Sequence, residues 1–238
     1  MENKDGVFIT GAARSGTSLV AGIVDLCGAF GGVTSPPNAY NQKGMFENTA
    51  IRNNVVKSFL RKMRCDEKGQ FPLPTIPGMP VYAGFDSLLR DQLKKEGYTT
   101  GKWYYKGAKI CLMWPYYKHY FSTSKFIIVR RADDDIVNSC IRTGFMNAFS
   151  NRTKQQAVGA KNETQGWHWW VKQHHKRFQE MKAAGLQVRE IWPSRMMTGD
   201  YAEVREVVEW AGLEFNELKV KQFIDPKLYK ARKKQGIL

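Results

Sequence analysis

The sequence predicts a single α/β domain spanning 1–238, with a central parallel sheet flanked by helices and a P-loop-like turn after its first strand. Three observations carry this. Short β-branched and aromatic runs alternate with longer helical stretches, the pattern of a parallel sheet covered on both faces. The first such run stops at a glycine-rich turn that opens a helix. The chain has 238 residues, 42% of them hydrophobic and 25% charged, without internal repeat or low-complexity linker, so it can bury one core.

Val7-Phe8-Ile9-Thr10 is the first strand, a buried run ending at Gly11. The apolar residues after Gly16 give a buried helix from Thr17 to Leu26, closed near Gly28. Gly31 to Gly44 is rich in Gly, Pro and Asn and reads as a loop. Asn48 to Arg64 has an amphipathic helical spacing through Ile51, Val55, Phe59 and Leu60. Four prolines between Gly69 and Gly84 predict an irregular excursion. Trp103 to Lys106 and Lys125 to Arg130 are further strands, the second followed by a helix from Asp133 to Phe145. A long helix from Trp167 to Lys182, a strand from Gln187 to Trp192 and a helix from Tyr201 to Ala211, closed by Gly212, complete the pattern. In the long helix Trp167, Trp170, Val171, His174 and Phe178 share one stripe, which reads as core. His168, His174 and His175 read as packing or surface residues.

No apolar run approaches the roughly 20 residues of a membrane span, and the polar Met1-Glu2-Asn3-Lys4-Asp5 leaves no room for a signal peptide. The expectation is a soluble, cytoplasmic protein without a membrane partner. Cys27, Cys65, Cys111 and Cys140 form no Cys-x-x-Cys pair and read as reduced core residues. With the four histidines they make no metal-ligand spacing, so no metal is expected. The net charge of +15 implies attraction to a polyanion: nucleic acid, an anionic membrane, a nucleotide or an acidic sugar. Charge alone does not choose among them.

Gly11-Ala12-Ala13-Arg14-Ser15-Gly16-Thr17-Ser18 has the G-x-x-x-x-G spacing of a phosphate-binding turn between strand and helix. Backbone N–H groups in such a turn converge, and the helix N-terminus adds partial positive charge. The lysine that follows the second glycine in nucleotide triphosphatases is replaced by Thr17, and a cation stands instead at Arg14. Further on, the strand ending at Arg130 and Arg131 is followed by Ser139, eight residues after Arg131, on the next helix. Arg131 offers a forked charged contact to a phosphate, and Ser139 adds a hydroxyl.

In these two segments the chain resembles the superfamily of sulfotransferases that use 3′-phosphoadenosine-5′-phosphosulfate (PAPS). Arg14-Ser15-Gly16-Thr17-Ser18 matches the family's 5′-phosphosulfate loop position by position, with Arg14 and Leu19 as in its carbohydrate-type and bacterial members. Arg131 and Ser139 match its 3′-phosphate site, and Asp135 falls where the family has aspartate. Asn41 to Asn48 and Lys106-Gly107-Ala108-Lys109 are similar to segments of bacterial members. The steroid and phenol branch carries its basic histidine where this chain has Ala108, and other branches use a glutamate, which points to Glu47.

The resemblance implies sulfuryl transfer from PAPS to an acceptor hydroxyl, with a carbohydrate as the acceptor its bacterial and carbohydrate branches suggest, leaving 3′-phosphoadenosine-5′-phosphate (PAP). It implies that Arg14, Ser15, Gly16, Thr17 and Ser18 hold the 5′ side of the nucleotide, and that Arg131 and Ser139 hold the 3′-phosphate. Glu47 would take the acceptor proton. Arg14 and Lys106 would stabilise the leaving oxygen. If Glu47 is not the base, His119 and then His168 are next. The family often closes the nucleotide site with a late basic segment. Lys227, Lys230, Arg232, Lys233 and Lys234 are candidates, although the Arg-x-Gly-x-x-Gly form is absent. Two rivals stand beside this reading. A P-loop kinase or nucleotide hydrolase would need Mg²⁺, and a basic nucleic-acid-binding protein would spread its phosphate contacts over a surface.

Overall fold

The computed structural model describes residues 6–229. Its sheet consists of β1 (Val7–Thr10), β2 (Tyr104–Lys106), β3 (Lys125–Val129) and β4 (Gln187–Ile191), all parallel, in the order β2-β1-β3-β4. Alternation along each strand sorts the side chains to two faces. Phe8, Tyr105, Phe126 and Ile128 enter one core and Val7, Ile9, Tyr104, Ile127 and Val129 the other.

The second face is covered by α1 (Thr17–Leu26) through Val20, Ile23 and Val24. The first is covered by a helical segment that contains a π-helix, Ile51–Val56, and continues as α2 (Lys57–Lys62), with α3 (Phe85–Lys95) and α4 (Trp114–Tyr120). Phe8 is the hub of this core, its ring 4.9–5.4 Å from those of Trp103, Tyr117, Phe121 and Phe126. After β3 come α5 (Asp133–Ile141), the short α6 (Arg152–Ala157) and the long α7 (Glu163–Ala183). The chain then adds α8 (Ala202–Trp210) and α9 (Glu217–Phe223) to the second face. Among the described residues no helix is long and apolar enough to cross a membrane.

The elements read from the sequence are present, with shifted ends. The helix expected from Asn48 opens one residue later, at Thr49, because the buried Asn48 side chain caps it, accepting from Ile51 N–H at 2.9 Å and donating to Gly31 O at 3.1 Å. The helix expected to reach Phe145 stops at Ile141. Buried Gln70 captures the chain beyond it, donating to Phe145 O at 2.7 Å and accepting from the N–H groups of Asn147 and Ala148 at 3.0 Å. The long helix starts four residues early, at Glu163, capped by Asn162. The structure adds α3, whose Phe85, Leu89 and Leu93 face the core, and α4, α6 and α9. All four cysteines are free; Cys111 and Cys140 are buried and Cys27 and Cys65 half-buried.

The expected stripe on α7 is core: Trp167, Trp170, Val171, His174 and Phe178 are all buried. His174 Nδ1 donates to Trp170 O at 2.9 Å, and burial pulls its pKa down to about 4. A histidine held neutral in the fold binds its proton more readily when unfolded, so stability is complete above about pH 6.5 and is lost as pH falls towards 4. The loss should reach roughly 3 kcal/mol, at about 1.36 kcal/mol per pH unit. Urea unfolding from pH 7 to pH 4.5 should show this slope, and His174→Gln should flatten it. An unchanged slope would assign the acid sensitivity to other groups.

Candidate active site

The carboxyl ends of β1, β2 and β3 open into one cleft of roughly 720 Å³, the place where parallel α/β sheets bind ligands. At its centre is the turn from β1 to α1. Ser15 N–H bonds to Ala12 O at 3.1 Å, Gly16 is left-handed at φ 103°, and Arg14, a non-glycine residue, sits at φ 73°. A left-handed arginine costs free energy, so the surroundings must hold it there. Arg131 does so, its Nη1 donating to Arg14 O at 2.9 Å. A Cβ at Gly11 would lie 2.6 Å from both Val129 O and Ser15 Oγ, so only glycine lets the turn lie against β3. The first amides of α1 have no earlier helical carbonyl to bond, and they add to the positive end of its dipole.

Arg14 Nε donates to Ser139 Oγ at 3.0 Å. The two segments identified separately in the sequence are therefore one cluster: Arg14, Arg131 and Ser139. Among the described residues no carboxylate pairs with Arg14, and burial, with Arg131 and Arg142 nearby, holds its pKa below the ordinary value. Arg131 also lies 3.8 Å from Asp135, and its guanidinium stacks on Tyr229 at 4.8 Å. Arg130 turns away to β4, pairing with Glu190 at 2.9 Å, so Arg131 is the residue of the two that faces the cleft.

A second cluster forms over β2, on the far side of β1. Lys106, the last residue of β2, is 4% exposed, with Nζ 3.6 Å from Oε2 of Glu47, also 4% exposed. Lys109 Nζ is 3.9 Å from Oε1 of the same carboxylate. Glu47 is fixed by its own backbone, whose carbonyl accepts from Ser35 N–H at 3.0 Å. Burial alone would raise the Glu47 carboxyl, but Lys106, Lys109 and Arg52 outweigh it and hold the pKa below the ordinary carboxylate value. Burial lowers both lysines, partly offset by Glu47.

Of the nine residues singled out in the sequence, Arg14, Gly16, Thr17, Ser18, Glu47, Lys106, Arg131 and Ser139 line this cleft. Ser15 does not: it is fully buried, its hydroxyl without a partner among the described residues, leaving only its backbone to serve a ligand. Arg14 leans towards Ser139, so Lys106 is the cation beside Glu47. None of the histidines lines the cleft. His119 is exposed against Tyr120, and His168 sits 3.4 Å from Asp134, so both fallback candidates lie outside the cleft. No Trp of α7 lines it either. Of the late basic cluster, Lys227 is exposed outside the cleft, while Lys230, Arg232, Lys233 and Lys234 lie outside the described residues, as do Met1 to Asp5. The sequence reading missed Lys109, Arg52 and Tyr229. Lys109 closes a quoted segment, but nothing local signals its pairing with Glu47. Among the described residues no cluster of three His, Cys, Asp or Glu is arranged to hold a metal ion.

Among solved structures, the chain is similar to the sulfotransferase STF9 from Mycobacterium avium, with a TM-score of 0.56 and 13% identity over 92% of this chain and 66% of that one. The sulfotransferase STF1 from Mycobacterium tuberculosis H37Rv aligns at a TM-score of 0.46 and 11% identity, over 92% of this chain and 70% of that one. No protein-family model matches the sequence, and no curated protein does. At 13% identity the likeness to STF9 establishes the shared α/β fold, and this chain spans 66% of that protein's length.

Proposed function

We propose that this protein, acting through residues 1–238 as one catalytic domain, transfers a sulfuryl group from PAPS to an acceptor hydroxyl, as a relative of the bacterial and carbohydrate-type sulfotransferases. One observation carries the reading: Arg14 of the phosphate loop is hydrogen-bonded to Ser139 beside Arg131, so the 5′ and 3′ anchors form a single nucleotide site. The shared fold with STF9 supports it.

The residues fit a donor with two separate phosphate groups. The half-buried Arg14 has no carboxylate partner among the described residues, and the glycine turn with its free helix start is a ready anion cradle. The donor supplies the activated group: the acceptor oxygen bonds to sulfur as the bond from sulfur to the 5′-phosphate oxygen breaks. Glu47 accepts the hydroxyl proton. Lys106, now paired with Glu47, swings its ammonium to the leaving oxygen, where negative charge grows. That swing removes one of the cations depressing Glu47 and makes it a stronger base when the donor is in place.

PAP is expected to bind more tightly than AMP or ATP in calorimetric titrations without metal, because AMP lacks the 3′-phosphate and ATP places its charge elsewhere. Equal affinity for PAP and AMP would overturn the assignment. ATP preferred only with Mg²⁺ would turn the reading towards a kinase.

A further inference from the structure

Among the described residues nine cationic side chains line the cleft, against two carboxylates, Glu47 and Asp225. The sheet order divides the cations. Arg14 and Arg131 lie over β1 and β3, where the nucleotide anchors are, and Lys106 stands at the end of β2. The lining adds Arg52, Lys57, Lys68 and Lys109, with Lys43 and Arg142 completing the nine. Glu67 answers Lys57 at 3.4 Å. Among the described residues Arg52 donates to neutral oxygens, Ser35 Oγ at 3.0 Å and Asn53 Oδ1 at 3.2 Å. Lys109 shares Glu47 with Lys106. Lys68 is exposed on the loop that backs onto Lys109, where a Cβ at Gly69 would lie 3.2 Å from Lys109 Cγ.

One carboxylate thus answers three cations, Lys106, Lys109 and Arg52, in a largely buried setting where unpaired charge is costly. The reaction sharpens the imbalance. When Glu47 takes the acceptor proton it becomes neutral, and Lys109 and Arg52 lose their counter-charge at that moment. A neutral acceptor leaves them so; an anionic group on the acceptor restores the balance throughout.

We infer that the acceptor is an anion: a hydroxyl compound carrying a carboxylate or phosphate, bound by Arg52, Lys68 and Lys109 beyond Glu47. The inference deepens the proposed sulfuryl transfer and rests on it. The test titrates matched pairs into the PAP-loaded protein by calorimetry: methyl β-D-glucuronide against methyl β-D-glucoside, and glucose 6-phosphate against glucose. The charged member of at least one pair should bind about tenfold or more tightly than its neutral partner, and the responding pair tells carboxylate from phosphate. The double variant Arg52→Gln, Lys68→Gln should bring that ratio to within about threefold of one, while the Kd of PAP moves less than about twofold. Lys68→Gln alone, a change at an exposed site, should lower the ratio by about twofold or more and guards against misfolding of the double variant. Equal binding within both pairs, no binding of either acid, or a preference unchanged in both variants would overturn the inference while leaving the sulfotransferase reading intact. Failure of PAP itself to bind would overturn that reading and this inference with it.

Discussion

Glu47→Gln is expected to lower turnover by about 10²–10⁴-fold, the usual worth of general-base catalysis, with little change in PAP affinity. The amide keeps the shape of the side chain and a hydrogen-bonding oxygen but cannot take a proton at working pH. Glu47 is also the counter-ion of Lys106 and Lys109, so the substitution has a second consequence. Removing one partner of a buried ion pair typically costs about 3–5 kcal/mol because the remaining charge stays desolvated. Here the two lysines can shed protons to limit that cost, since burial has already lowered both. Without Glu47 to raise them they fall further below the unfolded value of 10.5. The folded variant then holds fewer protons than its unfolded chain, so its stability should rise relative to wild type from pH 7 to pH 9. Denaturant unfolding at the two pH values checks this, and turnover with a screened acceptor checks the base. Near-normal turnover together with the pH-dependent stability would leave Glu47 as a counter-ion alone. The acid limb of the wild-type kcat/KM should fall below the ordinary carboxylate range, because Glu47 is held ionised in the free protein.

Arg131→Ala is expected to abolish most of the preference for PAP over AMP. One charged hydrogen bond is worth about 1.5–3 kcal/mol, or roughly 10- to 150-fold in Kd. The structure complicates the experiment, since Arg131 also holds the left-handed Arg14 through the carbonyl of that residue. AMP resolves the two roles. If Arg131 acts on the 3′-phosphate, PAP affinity falls and AMP affinity stays. If its main task is to brace the phosphate loop, both fall together and the preference persists. Arg131→Lys should restore the charge but not the fork that reaches Arg14 O, so it should restore PAP affinity incompletely.

Much of this architecture was legible in the sequence because it is encoded by neighbours along the chain. Val7 to Thr10 and Lys125 to Val129 are buried strands by composition, and the glycines at 11 and 16 allow a turn that few other residues could adopt. The spacing from Arg131 to Ser139 placed both residues in the cleft, where Arg130 does not point. Helix ends were less legible, because Asn48 and Gln70 set them through bonds to distant backbone. The site divides along the same line. The sequence by itself determined the glycine-rich turn, since backbone conformation and residue type are local properties, while the candidates at Glu47 and Lys106 came from the family resemblance. Only the tertiary structure decided that Arg14 meets Ser139, that Lys109 shares Glu47 with Lys106, and that every histidine stands outside the cleft. Those facts depend on which charges folding buries side by side. Coulomb attraction and desolvation act through space, between residues that the sequence keeps far apart.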